Sequence, residues 1–263
     1  MFLTNSEQEI SCEYLNHGYI IRPAADLESL RWIQHQFIKI IKKSLDIDID
    51  LCPLDILNRI HQWVAISDLN SFRLKIIQEI NAIPDFRLMY FQIAKPYLAE
   101  LVGNELSMQL RINLSIQLPG DESSLLPIHA DTWSGDSPYE VVVWLPLVDC
   151  YGTKGMYILP PAESAKLSEQ LSRQAVTNSD ALYKSIENNI NWLAVKYGEV
   201  LIFDQALPHG NRINEEPETR WSLNCRFKGV FTPYGDKKIG EFFEPITLRA
   251  ASKNGMAYQP PKK

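Results

Sequence analysis

The hydrophobic period differs between the two halves of the chain. From about Asp26 to Leu101, apolar residues recur every three or four positions with little glycine between them. Leu27, Leu30, Trp32, Ile33, Phe37, Ile40 and Ile41 form one such stretch; Leu74, Ile77, Ile80, Leu88, Phe91, Leu98 and Leu101 continue it. This spacing lines one face of an α-helix and predicts amphipathic helices laid on a core. Pro53, Pro84 and Pro96 mark breaks or helix starts, because proline lacks the amide a helix interior needs. Ahead of this region, GYIIRPA (Gly18 to Ala24) predicts a short strand leading into a helix capped near Asp26.

From Ser107 the period becomes two. In SMQLRINLSIQL, Leu110, Ile112, Leu114, Ile116 and Leu118 face one way, and Arg111, Asn113, Ser115 and Gln117 the other, as in a half-buried strand. EVVVWLPLV, KGMYILP, EVLIFDQ and RWSLNCRFKGVF predict further strands, and a helical insert over residues 162–191 separates KGMYILP from EVLIFDQ. The tail, residues 249–263, is polar, ends in QPPKK and is expected to be poorly ordered. Helices first and strands after, without βαβ alternation, argue against a Rossmann fold. The expectation is a single domain over residues 1–263, with a helical support region (1–105) bracing a mainly antiparallel β core (106–248).

Composition narrows the class. The 263 residues are 45% hydrophobic and 22% charged, an ordinary globular balance. A formal net charge of -6 argues against a broad nucleic-acid surface. MFLTNSEQEI lacks the basic start and apolar stretch of a signal peptide, and the most apolar run, VVVWLPLV, is too short to span a bilayer. Cys12, Cys52, Cys150 and Cys225 lie apart without C-x-x-C spacing, which favours reduced thiols. A cytoplasmic protein without nucleic-acid or membrane partners is expected.

The chemistry concentrates in PIHADTWSGDSPYE. His129 and Asp131 are two apart, so on a strand both side chains emerge from one face. An imidazole and a carboxylate in one cavity are two of the three ligands of a facial iron site. Of the remaining histidines, His17, His35 and His61 lie in the N-terminal part and read as surface or packed residues. His209 instead follows the apolar strand GEVLIFDQ and opens the turn HGN. With it, two histidines and one carboxylate leave three octahedral positions open, which suits Fe(II) oxygen chemistry and suits structural zinc poorly. Arg220 and Ser222 are again two apart, and a guanidinium fork with a hydroxyl beside it can grip a carboxylate.

His129-x-Asp131, distal His209 and Arg220-x-Ser222, in that order, resemble the Fe(II)/2-oxoglutarate-dependent dioxygenase superfamily. The closest resemblance is to the phytanoyl-CoA dioxygenase-like branch. Within it, SGDSPYEVVVWLPLVDCYGTKGMYILP and LPHGNRINEEPETRWSLNCRFK are similar to bacterial oxygenases of sporadic carbohydrate-biosynthesis clusters. The resemblance implies a double-stranded β-helix, or jelly roll, with helices on one side. It implies Fe(II) on His129, Asp131 and His209, 2-oxoglutarate chelating that iron and held at its far carboxylate by Arg220 and Ser222, and dioxygen as co-substrate. It further implies hydroxylation of a small molecule such as a sugar or nucleotide sugar, with succinate and carbon dioxide as co-products. Where many relatives carry Asn-Gly and a later Pro-Gly-Ser-His, this chain has Thr153, Lys154, Gly155 and then Leu159, Pro160, Pro161, Ala162. Asp131 argues against a halogenase, which needs that ligand position vacant.

Other residues carry two readings each. Asn113 and Gln117 either bind the keto acid end of 2-oxoglutarate or face water, and Arg111 reads as a rim charge. Trp144 is either core or a contact to cosubstrate or substrate. Thr132, Trp133 and Ser134 either meet substrate at the barrel mouth or form a plain loop. Lys154 either meets an anionic substrate or lies at a solvent edge. Arg226 shares the face of Arg220 and reads as one half of a salt bridge. NEEPE (Asn214 to Glu218) reads as a solvated loop, and the helical insert as a lid. A homo-oligomer is compatible with the helical half. Two other classes stay open: a cupin-type metal-dependent isomerase or hydrolase, and a non-catalytic carbohydrate-binding jelly roll.

Overall fold

A computed structural model describes residues 2–47, 50–171 and 178–261. In chain order the elements are α1 (Asn5–His17), β1 (Tyr19–Pro23), α2 (Leu27–Leu45), α3 (Pro53–Asn58), α4 (Leu69–Asn81), α5 (Phe86–Leu101), β2 (Leu106–Gln109) and β3 (Asn113–Gln117). There follow β4 (Glu140–Pro146), β5 (Met156–Ile158), α6 (Pro161–Leu171), α7 (Ser179–Ile186), β6 (Asn191–Leu193), β7 (Glu199–Asp204), β8 (His209–Gly210), β9 (Arg220–Gly229), β10 (Phe243–Pro245) and α8 (Ala250–Ala257). Among the described residues no helix is long and apolar enough to cross a membrane.

Two antiparallel sheets form the β core. The larger runs β1-β7-β4-β9-β2-β10, with β3 also paired to β9, and the smaller runs β6-β5-β8. A bridge between His129 and His209 ties the segment before β4 to the edge of the smaller sheet. Strand β9 explains how both faces of the large sheet are covered. Trp221 meets Phe37 and Phe72 edge-on, and Phe227 meets Phe91, so its odd-numbered residues enter the helical layer. Arg220, Ser222, Asn224 and Arg226 line cavities on the opposite face. One continuous apolar core therefore joins helices and sheet.

Local chemistry accounts for the first elements. Thr4 and Glu7 close a capping box on α1, and Asp26 caps α2 by accepting from Glu28 and Ser29 amides. Gly18 ends α1 at φ 79°, and a Cβ there would collide with Leu207. Only glycine suits both conditions.

Four expectations need correction. The alternating run after Ser107 is two strands, since the chain leaves β9 between Gln109 and Asn113. There the Gln109 side chain accepts from the Arg226 amide, and Asn81 accepts from the Ile112 amide, so the freed backbone groups find side-chain partners. Pro96 lies inside α5. The Ile93 carbonyl, in the turn ahead of it, accepts from the Ala25 amide, and the helix is held by buried Phe91, Ala94 and Leu98. The tail carries α8, whose first turn is anchored when Glu105 accepts from the Arg249 amide and the Ser252 hydroxyl. The NEEPE segment is not merely solvated. Asn214 is fully buried and donates to the Gln117 and Glu218 carbonyls. The expected insert appears as α6 and α7, packed on a small separate cluster with Ile128, Tyr157 and Leu159; its residues 172–177 lie outside the described residues.

Candidate metal centre and anion pocket

His129, Asp131 and His209 converge, with one potential ligand atom from each lying within 4.8 Å of the others. The route to this differs from the expected strand. His129 stands in its bridge to His209, while Asp131 begins a 3-10 turn (Asp131–Ser134) directly after it. Reciprocal amide-to-carbonyl bonds of 3.0 and 2.8 Å lock the two histidine backbones together, and the Asp131 amide donates to the Gln205 carbonyl at 2.9 Å.

Backbone carbonyls set the tautomers. His129 Nδ1 lies 2.8 Å from the Pro127 oxygen, and His209 Nδ1 lies 2.9 Å from the Leu207 oxygen. A carbonyl can only accept, so each Nδ1 carries the proton and each Nε2 presents a lone pair. Burial, reinforced by the neighbouring His129, pushes the His209 pKa down to about 4, which keeps this ring neutral at physiological pH. Burial opposes ionisation of Asp131. The charge of Arg226 and its hydrogen bond to the carboxylate outweigh it and hold the carboxyl well below the usual range. Two imidazoles that bond backbone carbonyls through Nδ1, with one ionised carboxylate, are a donor set that fits Fe(II) or a similar divalent ion.

Around this cluster lie two adjoining cavities. The outer one, about 350 Å³, is lined by the three cluster residues together with Asn113, Ser134, Asp136, Val142, Asn224, Arg226 and Lys237. Leu126, Phe203, His209 and Asn224 also line an inner cavity of about 70 Å³, which reaches Ser115, Trp144, Met156, Arg220 and Ser222. Arg220 donates to the Gly155 carbonyl at 3.0 Å and to Ser115 Oγ at 2.8 Å. Its Nε and the Ser222 hydroxyl are buried without a hydrogen-bond partner among the described residues. Burial lowers the Arg220 pKa to about 10, so the guanidinium stays charged at neutral pH. The inner cavity thus ends on a buried cation whose fork is not fully used.

No family model matches the chain, and no curated protein matches it. Solved structures do. The non-heme alpha ketoglutarate dependent carbocyclase SnoK from nogalamycin biosynthesis aligns over 94% of this chain and 97% of its own, at 14% identity and a TM-score of 0.55. EctD from S. alaskensis, solved with 2-oxoglutarate and 5-hydroxyectoine, aligns over 88% and 78% at 17% identity and 0.53. HygX from Streptomyces hygroscopicus, solved with nickel and 2-oxoglutarate, aligns over 88% and 89% at 14% identity and 0.51. The fold is that of the non-haem 2-oxoglutarate-dependent oxygenases. It is the double-stranded β-helix that the family resemblance implied.

Within this oxygenase fold, several expected site residues stand elsewhere. Lys154 is fully buried and meets neither cavity; its Nζ bonds Glu218 at 2.7 Å and Asn58 at 2.8 Å. A desolvated ammonium needs a counter-charge, and Glu218 supplies it from the segment before β9. Gln117 faces Arg220 across the β3–β9 ladder, but its amide donates to the Arg212 carbonyl and accepts from Asn211, so it lines neither cavity. Thr132 and Trp133 follow Asp131 on the 3-10 turn outside both linings, whereas Ser134 enters the outer one. Asn113 lines the outer cavity and Trp144 the inner.

Sequence reasoning passed over Asn224 and left Arg226 as an unassigned salt bridge. Asn224 accepts from the Asn113 amide at 2.9 Å, where the two cavities join. Arg226 binds Asp131 itself, Nη2 to Oδ2 at 2.6 Å. Both follow Arg220 at even spacing on β9, so the strand period carried the signal. Gln205, whose carbonyl accepts from the Asp131 amide, carried no such signal.

Proposed function

We propose that the protein is a non-haem Fe(II)/2-oxoglutarate-dependent oxygenase acting on a C–H bond of a small molecule. The observation that carries the reading is Arg220. A guanidinium only 5% exposed, with its Nε and the adjacent Ser222 Oγ unpartnered, closes a cavity that leads to His209. Burying such a charge is costly unless an anion completes it. The far carboxylate of 2-oxoglutarate is that anion in our reading, and the cavity directs its keto acid end toward the three clustered side chains.

Fe(II) held by His129, Asp131 and His209 would supply dioxygen activation coupled to decarboxylation of 2-oxoglutarate into succinate and carbon dioxide. The chain itself does the positioning. The Pro127 and Leu207 carbonyls orient both imidazoles, and Ser115 and Gly155 hold the Arg220 fork. Trp144, Met156 and Phe203 keep the inner cavity apolar along its length. The outer cavity, where Asn113, Ser134 and Asn224 stand beside Val142 and Phe203, takes the substrate. Amide and hydroxyl groups over an apolar floor suit a hydroxyl-rich molecule, and a sugar or nucleotide sugar is the class proposed.

The test is succinate formation by anaerobically prepared protein given Fe(II), 2-oxoglutarate and ascorbate before air, with 2-oxoglutarate affinity measured on the same samples. Wild type is expected to bind 2-oxoglutarate and release succinate only with iron. His209→Ala should abolish turnover, and Arg220→Ala should weaken 2-oxoglutarate binding by about a hundredfold, as for a lost charge-assisted pair. Failure of wild type to bind 2-oxoglutarate would overturn the reading in favour of a cupin-type isomerase or a carbohydrate-binding jelly roll.

A further inference from the structure

Beyond the three clustered residues runs a buried polar chain without an obvious structural need. Arg226 Nη2 donates to Asp131 Oδ2 at 2.6 Å, and Arg226 Nε donates to Gln205 Oε1 at 2.9 Å. Gln205 is fully buried; its amide nitrogen donates to Glu140 Oε2 at 2.8 Å and to the Ser137 carbonyl at 3.1 Å. Glu140, also buried, accepts from the Ser137 amide through its other oxygen. Gln205 acts twice, because its backbone carbonyl also accepts from the Asp131 amide. The same residue therefore fixes Asp131 by its main chain and the guanidinium that grips Asp131 by its side chain.

The two Asp131 oxygens are consequently unlike. Oδ2 is committed to Arg226, while Oδ1 lies 3.4 Å from His129 Nε2, on the side of the imidazole lone pairs. A free carboxylate can chelate a divalent ion through both oxygens, and a carboxylate with one oxygen held by a guanidinium offers one. We propose that Arg226, locked by Gln205 and Glu140, is a positioning residue that restricts Asp131 to a single ligand oxygen and so keeps three of six coordination positions open, two for 2-oxoglutarate and one for dioxygen. This rests on the metal-site reading above. Bound through both oxygens, Asp131 with the two histidines would fill four of six positions and leave none for dioxygen once a keto acid took the other two.

The test separates metal binding from the number of positions left open on the metal. Co(II) replaces Fe(II) as a spectroscopic probe, and wild type, Arg226→Met, Arg226→Lys and Gln205→Leu are titrated with Co(II), then with 2-oxoglutarate, following the visible d–d bands. Expected for Arg226→Met is Co(II) affinity within about tenfold of wild type, an altered d–d spectrum before 2-oxoglutarate is added, and, in anaerobic Fe(II) protein holding 2-oxoglutarate, affinity for the dioxygen surrogate nitric oxide reduced at least tenfold. Arg226→Lys, which keeps one donor, should recover part of that affinity. Gln205→Leu, which touches no proposed ligand side chain, should shift the spectrum in the same direction by a smaller amount. An Arg226→Met protein with wild-type spectrum and nitric oxide affinity would overturn the proposal. So would loss of Co(II) binding as complete as in Asp131→Ala, which would make Arg226 a support for the site as a whole. Should Arg226→Met fail to fold, Gln205→Leu decides alone, and an unchanged spectrum there is the overturning result. Wild type that binds no Co(II) would instead refute the metal-site reading itself.

Discussion

Arg220 shows at the residue scale how function and stability separate. Its guanidinium bonds a carbonyl and a hydroxyl but has no acidic partner among the described residues, and burial pulls its pKa to about 10. A residue that stabilises the fold would be expected to have a counter-charge, as Lys154 has in Glu218. Replacing a buried, incompletely paired charge with an apolar side chain of similar length is often neutral or stabilising. Arg220→Met should therefore melt no more than about 2 °C below wild type in the absence of 2-oxoglutarate, or above it, while losing 2-oxoglutarate binding. Thermal denaturation with and without 2-oxoglutarate checks both halves. A large drop in Tm without ligand would show that Arg220 is a structural residue.

At the scale of elements, β9 is the member on which the two halves of the chain meet. One face supplies Arg220, Ser222, Asn224 and Arg226 to the cavities, and the other supplies Trp221, Leu223, Cys225 and Phe227 to the helices. Trp221 is fully buried, stacks edge-on against Phe37 of α2 and Phe72 of α4, and donates its indole N–H to the Leu57 carbonyl of α3. Three helices thus dock on one side chain. Trp221→Ala should cost about 3–5 kcal/mol, the usual range for deleting a buried aromatic, in urea denaturation. Because Arg220 and Ser222 flank it, 2-oxoglutarate affinity should fall in the same variant. Loss of stability without loss of affinity would show that the helical layer does not support the pocket.

For the whole molecule, the buried site makes stability depend on pH. His209 has its pKa lowered from 6.5 to about 4 in the fold. Between those values the unfolded chain takes up a proton that folded His209 does not, so this contribution is present above about pH 6.5 and lost as pH falls toward 4. Burial raises the Glu140 and Asp204 pKa values and so acts in the opposite sense; a comparison with a His209 variant cancels them. In metal-free protein the fall in Tm from pH 7 to pH 5 should be smaller for His209→Gln than for wild type. Equal falls would show that the imidazole takes a proton as readily in the fold as in the open chain.

The alternation of β9 and the helical periods of α2, α4 and α5 were legible because backbone geometry dictates them: side chains repeat every two residues on a strand and every 3.6 on a helix. The shared face of Arg220 and Ser222 followed from that rule alone, and the resemblance carried by the motifs implied the double-stranded β-helix. Pairing between distant segments decided the remainder. The break between β2 and β3 is met by Asn81 and Gln109. The 3-10 turn at Asp131 hangs on Gln205, Lys154 is buried because Glu218 reaches it, and Arg226 meets Asp131 through a guanidinium that Gln205 holds in place. None of these partners is near in sequence to the group it satisfies. The chain's own pattern thus determined its elements and which residues share a face, because those depend on local backbone geometry. Tertiary structure alone decided which buried charges are paired and which, among the described residues, are not, because a counter-charge can come from anywhere along the chain.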